Sequence, residues 1–497
     1  MITVNGHAKR LCSGLTRRDL IKVGGMALGS STLGSRPTLA NLGSASPAPG
    51  FGKAKHCICL FLYGSHSQLE TFDPKPNAAV EIRGELGSIE SATAGLRINE
   101  LLPKTALITD RLSIIRSVTH PYPVHGVAYA MTGNPVVTLS EELNPHAPNH
   151  WPYLGSLVDY LDARNQPGTV PEIPRNMGLP WAFSSQRVGE VARAGPYGGF
   201  LGSNYDPTWT EFIGQGTKKA KKTLTDKVWE DYEFYRGISS ESHLRLPGMT
   251  DPTNRDLTLD RLDHRRTLLD QIEQFRRDES ADQNNNLDRN RAQAYRLLDN
   301  PKFRQAFELK SESEQTRNAY GMTLFGQSAL TARRLVEAGG RFVSVFWDEF
   351  GLAGTGWDTH WDHFPRMKNE LLPGLDMALS GLISDLDSRG MLDDTLVLLL
   401  SEHGRTPKLT TGNGGGRDHW SRCYSVVMAG AGIKRGEVVG KSDSIASDVV
   451  DNPVSPKDIL ATTLHLMGHD PSTVIYDRQN RPMPLVPHSR LLTEVLA

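Results

Sequence analysis

Residues 395–404 read TLVLLLSEHG. A run of apolar, strand-forming residues this short and unbroken predicts a strand buried on both faces, as in a parallel sheet. The strand ends at Leu400 and delivers Glu402 and His403 directly onto its exit loop, where Gly404 lets the chain turn without steric cost. Comparable runs occur at 57–64, 112–118, 341–346 and 424–429. Helical spacing separates several of them. Residues 327–338 carry apolar positions at i, i+3, i+4 and i+7 and stop at Gly339-Gly340; 370–389 repeats the pattern ahead of Gly390, and 456–467 ahead of Gly468. Strands alternating with helices predict an α/β protein with a mostly parallel, doubly wound sheet.

Ligands in such sheets lie beyond the carboxyl ends of the strands. There the chain concentrates acidic and imidazole side chains. Asp358 and His360 stand in WDTHWDH (357–363), Glu402 and His403 in SEHG (401–404), and His419 in GRDHW (416–420). Carboxylate and imidazole together offer oxygen and nitrogen donors to a borderline-hard cation such as Zn²⁺ or Mn²⁺. For any single histidine an ordinary hydrogen-bonded side chain is the better explanation. The coincidence of three such motifs at or near strand ends predicts a divalent-metal site.

With 497 residues and a formal net charge of −1, the chain has ample material for a large core and shows no footprint of a nucleic-acid partner. Arg17-Arg18 precedes a weakly apolar, glycine-rich stretch and then Thr38-Leu39-Ala40. That order predicts a twin-arginine export signal and linker over 1–46, with periplasmic or secreted delivery and no stable membrane span once the signal is removed. The folded domain is expected over 53–497. Within it, residues 205–320 are polar and break the strand–helix rhythm, so they are expected to form an inserted helical subdomain, with helices at 262–277 and 286–298. Cys57 and Cys59, at i and i+2 on a strand, are poorly placed for a mutual disulfide and are expected as small buried residues. The glycine-rich stretch 198–207 lacks the strand–glycine–helix setting of a nucleotide loop, which leaves a substrate-side loop or a plain turn.

The segments LFLYGSHSQLETFDPKP (60–76), EIRGELGSI (81–89), HGVAYAMTGNP (125–135), GQSALTARRLVEAGGRFVSV (326–345), WDTHWDHF (357–364), SEHGRTPK (401–408) and GRDHW (416–420) together resemble DUF1501. This is a family of exported bacterial proteins common in planctomycetes and placed in the alkaline phosphatase/sulfatase superfamily. The resemblance implies an alkaline-phosphatase-like three-layer α/β/α sandwich. It also implies two divalent cations about 4 Å apart acting on a phosphate or sulfate ester, with Zn²⁺, Mn²⁺ and Ca²⁺ left open.

By that resemblance Glu402 and His403 would hold one cation. Asp358, with His360 or His363, would serve the other, and His419 stands where the phosphoglycerate mutase branch carries its last histidine ligand. Arg405 would pair with an ester oxyanion or form a salt bridge. His125 would act as ligand, general acid or nucleophile, or simply begin a helix. The substrate implied is an anionic ester, on a sulfated or phosphorylated polymer.

Three departures from the superfamily pattern bear on chemistry. Gly64 and Ser65 occupy the first strand's exit in place of an aspartate, and Glu70 or Asp73 would either reach back to it or stand as loop charges. Glu402 replaces an aspartate. No Cys-x-Pro-x-Arg sequence occurs, which excludes a formylglycine-type sulfatase. An alternative therefore stands beside the hydrolase: a catalytically silent exported protein that keeps the fold and binds an anionic polysaccharide or a partner protein.

Overall fold

The structure, a computed structural model, describes residues 48–497 apart from 123–126, 134–142, 170, 189–192, 225–226, 248–299, 352–355 and 412–414. The expected export signal, His125 and the helices expected at 262–277 and 286–298 lie outside the described residues.

Eight strands form the central sheet: β1 (His56–Leu62), β2 (Leu112–Val118), β3 (Asn176–Leu179), β4 (Thr208–Trp209), β5 (Phe342–Trp347), β6 (Thr395–Leu400), β7 (Tyr424–Ala429) and β8 (Glu437–Val439). Their order across the sheet is β8-β2-β7-β6-β1-β5-β3-β4. Every neighbouring pair is parallel except those made by β7, which runs against both β6 and β2. The reason lies in the connection. Among the described residues no helix stands between β6 and β7, so the chain leaves β6 at its carboxyl end and returns antiparallel to it after the connection over 401–423. That loop carries Glu402, His403, Arg405 and His419.

Side-chain alternation divides the core in two. Ile58, Leu60 and Leu62 of β1 face one cluster, shared with α2 (Leu324–Glu337) and α3 (Leu372–Ser388). Cys57, Cys59 and Phe61 face the other, shared with α1 (Leu154–Asn165) and α4 (Pro456–Leu466). The sheet is thus covered on both faces, and the chain folds as the three-layer α/β/α sandwich expected. Burial on both sides is why its longer strands read as mostly apolar runs. Helix starts follow sequence chemistry: Thr323 caps α2 through the Gly326 amide, and Ser455 with Asp458 forms a capping box on α4. The three cysteines among the described residues are buried and unbridged.

The segment after β3 corrects one expectation. Residues 205–245 hold short strands where a helical insertion was expected. Glu211–Ile213 pairs with His243–Arg245, and Lys219–Leu224 forms a hairpin with Lys227–Tyr232. Lys221 stands opposite Glu230 there, and the Lys219 ammonium lies 5.6 Å from the Tyr232 ring centroid. Cross-strand charge and cation–π pairs of this kind satisfy polar residues in a ribbon as well as on a helix. Helices do occupy Pro301–Ala306 and Glu314–Tyr320. Among the described residues, no helix is long and apolar enough to cross a membrane.

Candidate metal centre

Strand β1 ends in a sharp turn, with φ at +92° for Gly64 and +71° for Ser65. The glycine is required twice over. Its φ lies in the left-handed region, and a Cβ there would stand 2.3 Å from the Asp358 amide nitrogen. The exit of β1 is therefore pressed against the segment that carries Asp358, and Tyr63 O accepts the Trp357 N–H at 2.9 Å. On its other side, the Gly64 N–H donates to Glu402 Oε1 at 2.8 Å, and the Ser65 hydroxyl accepts the His403 N–H at 3.2 Å. Three strand exits meet here.

The 401–423 loop folds back on itself. Gly404-Arg405 and His419-Trp420 form a two-residue antiparallel ladder, and Thr406 N–H donates to Asp418 O at 2.8 Å. The Arg417 N–H donates to Thr359 O at 3.1 Å, which ties this loop to the WDTH segment. A Cβ at Gly416 would lie 1.8 Å from His360 O, so only glycine permits that approach.

These contacts bring Asp358, His360 and His419 together, with one ligand atom from each lying within 4.8 Å of the others. His360 Nε2 and His419 Nε2 stand 3.1 and 3.3 Å from the same Asp358 Oδ1, and 3.1 Å from each other. Asp418 Oδ1 holds the other ring nitrogen of His360, Nδ1, at 2.7 Å. A carboxylate behind a histidine fixes the ring and leaves Nε2 turned inward, as in carboxylate–histidine–metal triads. The three side chains are 15%, 24% and 22% exposed, so the cluster opens to solvent. Burial lowers the His360 pKa, but the bond to and charge of Asp358 outweigh it, and the net direction is upward. One carboxylate and two imidazoles form a donor set suited to a divalent cation of the zinc or manganese type.

His403 lies deeper. Its ring centroid is 4.6 Å from that of His419, and its Nδ1 is 2.8 Å from Gly404 O, an arrangement that directs Nε2 away from the backbone. Glu402 is buried beside it. The structure thus gathers all five expected metal residues at one rim, with Asp358, His360 and His419 in direct mutual contact. Of the two histidines left open, His360 joins the cluster. His363 is buried, with Nδ1 2.7 Å from Thr359 Oγ1 and Nε2 3.2 Å from Glu70 Oε2.

Arg405 does not face open space. It is wholly buried, with Nη2 2.6 Å from Asp358 Oδ1, Nε donating to Ser65 O at 3.0 Å and Nη1 to Arg417 O at 3.2 Å. Its fork is engaged by the protein, so of the two roles expected the salt bridge is the one present.

Beneath the cluster lies an ion network that local sequence does not announce. Arg417 Nη2 is 2.6 Å from Glu70 Oε1, and both groups are buried with His363. Burial pushes the Glu70 pKa up, but the Arg417 and His363 charges and bonds prevail and hold it at about 2. Glu70 therefore braces the GRDHW loop from below. Asp73 is spent on Lys75, Arg116 and Ser442. His120, in the loop after β2, has Nε2 2.8 Å from Glu402 O and accepts the Tyr122 N–H on Nδ1; burial lowers its pKa to about 4. Sequence reasoning assigned no part to Asp418 or Arg417. The one available signal was their adjacency to His419.

A mostly parallel α/β/α sandwich with a carboxylate–histidine cluster at its strand ends is the architecture the chain presents. Residues 54–496 match the family described as "Protein of unknown function (DUF1501)", and the chain belongs to it. None of the curated proteins matches the chain. Solved structures with some likeness include Ps i-CgsB in complex with k-i-k-neocarrahexaose (11% identity, 85% of this chain and 72% of that one, TM-score 0.35). Others are the PsFucS1 sulfatase from Pseudoalteromonas sp. (11%, 89% and 72%, TM-score 0.38) and the phosphonate monoester hydrolase SpPMH from Silicibacter pomeroyi (16%, 35% and 26%, TM-score 0.14). At these scores they carry no weight for the chemistry, which rests on the side chains above.

Proposed function

We propose that the protein is an exported, metal-dependent hydrolase of phosphate or sulfate esters. The observation that carries this reading is the convergence of Asp358 Oδ1, His360 Nε2 and His419 Nε2 at the carboxyl-end rim of the sheet. Asp358, His360 and His419 would hold one cation, and Glu402 with His403 a second. Bound there, divalent cations supply Lewis acidity and lower the pKa of an attacking water.

The chain's own residues then have distinct tasks. Asp418 orients His360 through Nδ1, the Gly64 N–H holds Glu402 in place, and the Glu70–Arg417 pair keeps His419 at its height. The part-exposed cluster leaves an approach for an anionic ester, consistent with a sulfated or phosphorylated polymer. Export rests on Arg17-Arg18 and the stretch after them; fusing residues 1–46 to a folded reporter and following its passage through the twin-arginine pathway tests it.

Metal content of the purified full chain, followed by turnover of aryl phosphate and aryl sulfate with and without chelator, tests the hydrolase. Bound divalent metal with chelator-sensitive turnover is the expected result. A protein that neither takes up metal nor turns over either ester refutes it. A second reading is favoured by the exit of β1, where Gly64 and Ser65 stand in place of a carboxylate, and by the burial of Arg405. In that reading the chain binds an anionic polymer or partner protein without chemistry, and metal-loaded protein with no turnover would mark it.

A further inference from the structure

Asp358 Oδ1 is approached by three groups at once: His360 Nε2 at 3.1 Å, His419 Nε2 at 3.3 Å and Arg405 Nη2 at 2.6 Å. The first two offer lone pairs to a cation. The third already brings a positive charge to the same oxygen. Arg405 cannot swing clear, because backbone oxygens of Ser65 and Arg417 hold its other nitrogens and the side chain is wholly buried. A guanidinium keeps its charge at any ordinary pH.

We propose that Arg405 is a built-in counter-cation that competes with the divalent ion for Asp358, setting the affinity of the site and leaving the loaded site with excess positive charge. This rests on the reading of Asp358, His360 and His419 as a cation site. In the metal-free protein Arg405 neutralises Asp358 and keeps the three strand exits from separating. When a divalent ion enters, Asp358 and the Asp418 carboxylate behind His360 answer three positive charges, two from the ion and one from Arg405, so this group carries a net charge of about +1. Such a site binds its metal more weakly than its donors alone would, and it favours an anion as the added ligand. Anion and metal then strengthen each other's binding, as linkage requires.

The test is calorimetric titration of Mn²⁺ into metal-stripped full chain, comparing wild type with Arg405→Gln, Arg405→Leu and Arg405→Lys. Removing the charge is expected to tighten Mn²⁺ binding by about tenfold or more, while Arg405→Lys stays near wild type. Inorganic sulfate is expected to tighten Mn²⁺ binding in wild type and to do so less in the neutral variants. A purely structural arginine would give the opposite sign, since its loss would loosen Asp358 and weaken the metal. Neutral variants that bind Mn²⁺ equally or more weakly overturn the proposal while leaving the metal site standing. If neutral variants unfold when metal-free, saturating Mn²⁺ is expected to restore the fold, and failure to do so also overturns it. Absence of Mn²⁺ binding in wild type and every variant sinks the cation-site reading and this inference with it.

Discussion

His360 and His419 face each other through their Nε2 atoms at 3.1 Å, across 59 residues of chain. Two imidazole lone pairs beside a carboxylate oxygen repel unless a proton or a cation lies between them. His360 has its Nδ1 committed to Asp418, so its Nε2 is the inward atom. Replacing either histidine by alanine is expected to cut divalent-metal affinity by about 100-fold or more, since losing even an outer partner costs about 10–100-fold. Both side chains are part-exposed, so unfolding curves should barely move. Retention of wild-type metal content in either variant would remove the basis of the site.

Asp418 supplies the milder version of the same experiment. It touches no inward donor atom, yet it fixes the ring of His360 from behind. Asp418→Asn keeps the shape and loses the charge, and metal affinity is expected to fall by about tenfold. His360→Ala and Asp418→Asn combined should then be no worse than His360→Ala alone, because the aspartate acts through that ring. An additive loss in this double-mutant cycle would show that Asp418 acts independently.

Gly64→Ala tests the packing of the strand exits. The new methyl meets the Asp358 amide at 2.3 Å in a backbone conformation that side chains resist. Stability should drop by more than about 1 kcal/mol. Metal binding should weaken too, because Asp358 and the Glu402 anchor both lean on this turn. Gly95→Ala is the control: its φ is also positive, at +75°, and a Cβ there meets nothing within 4 Å. If both variants lose metal alike, the close approach at Gly64 is not what matters.

What could be read beforehand followed the range of each interaction. Strands β1, β2, β5, β6 and β7 announce themselves because burial on both faces makes their runs mostly apolar, interrupted inside only by Ser113, Arg116, Ser117, Ser344 and Ser425. β3 and β4 are short, and Asn176 and Thr208 break the apolar pattern, so they pass unnoticed. Glu402 and His403 stand out in the sequence because they follow β6 directly, and Asp358 and His419 because each stands in a short motif of acidic and imidazole side chains. The choice between His360 and His363 was not legible. Both lie in WDTHWDH, and what separates them is Glu70, 293 positions upstream of His363. The two roles open to Arg405 could not be separated for a related reason: its partners Ser65, Asp358 and Arg417 come from three separate segments, and sequence gives no measure of burial.

The Glu70–Arg417 pair yields the sharpest dependence on pH. Both groups are buried, so Glu70→Gln would leave a guanidinium without its counter-charge at a cost of roughly 3 kcal/mol. The carboxyl titrates near 2 in the folded protein against 4.5 for the free group. A depressed native pKa means the unfolded chain binds the proton first as pH falls, so the contribution is complete above 4.5 and is lost between about 4.5 and 2. Urea unfolding of wild type and Glu70→Gln should therefore show a constant gap from pH 7 to 5 that narrows at pH 4 and further at pH 3. The same substitution should weaken metal binding at pH 7, because the GRDHW loop that presents His419 stands on this pair. A gap that stays flat down to pH 3 would mean that shape, and not charge, holds that loop in place.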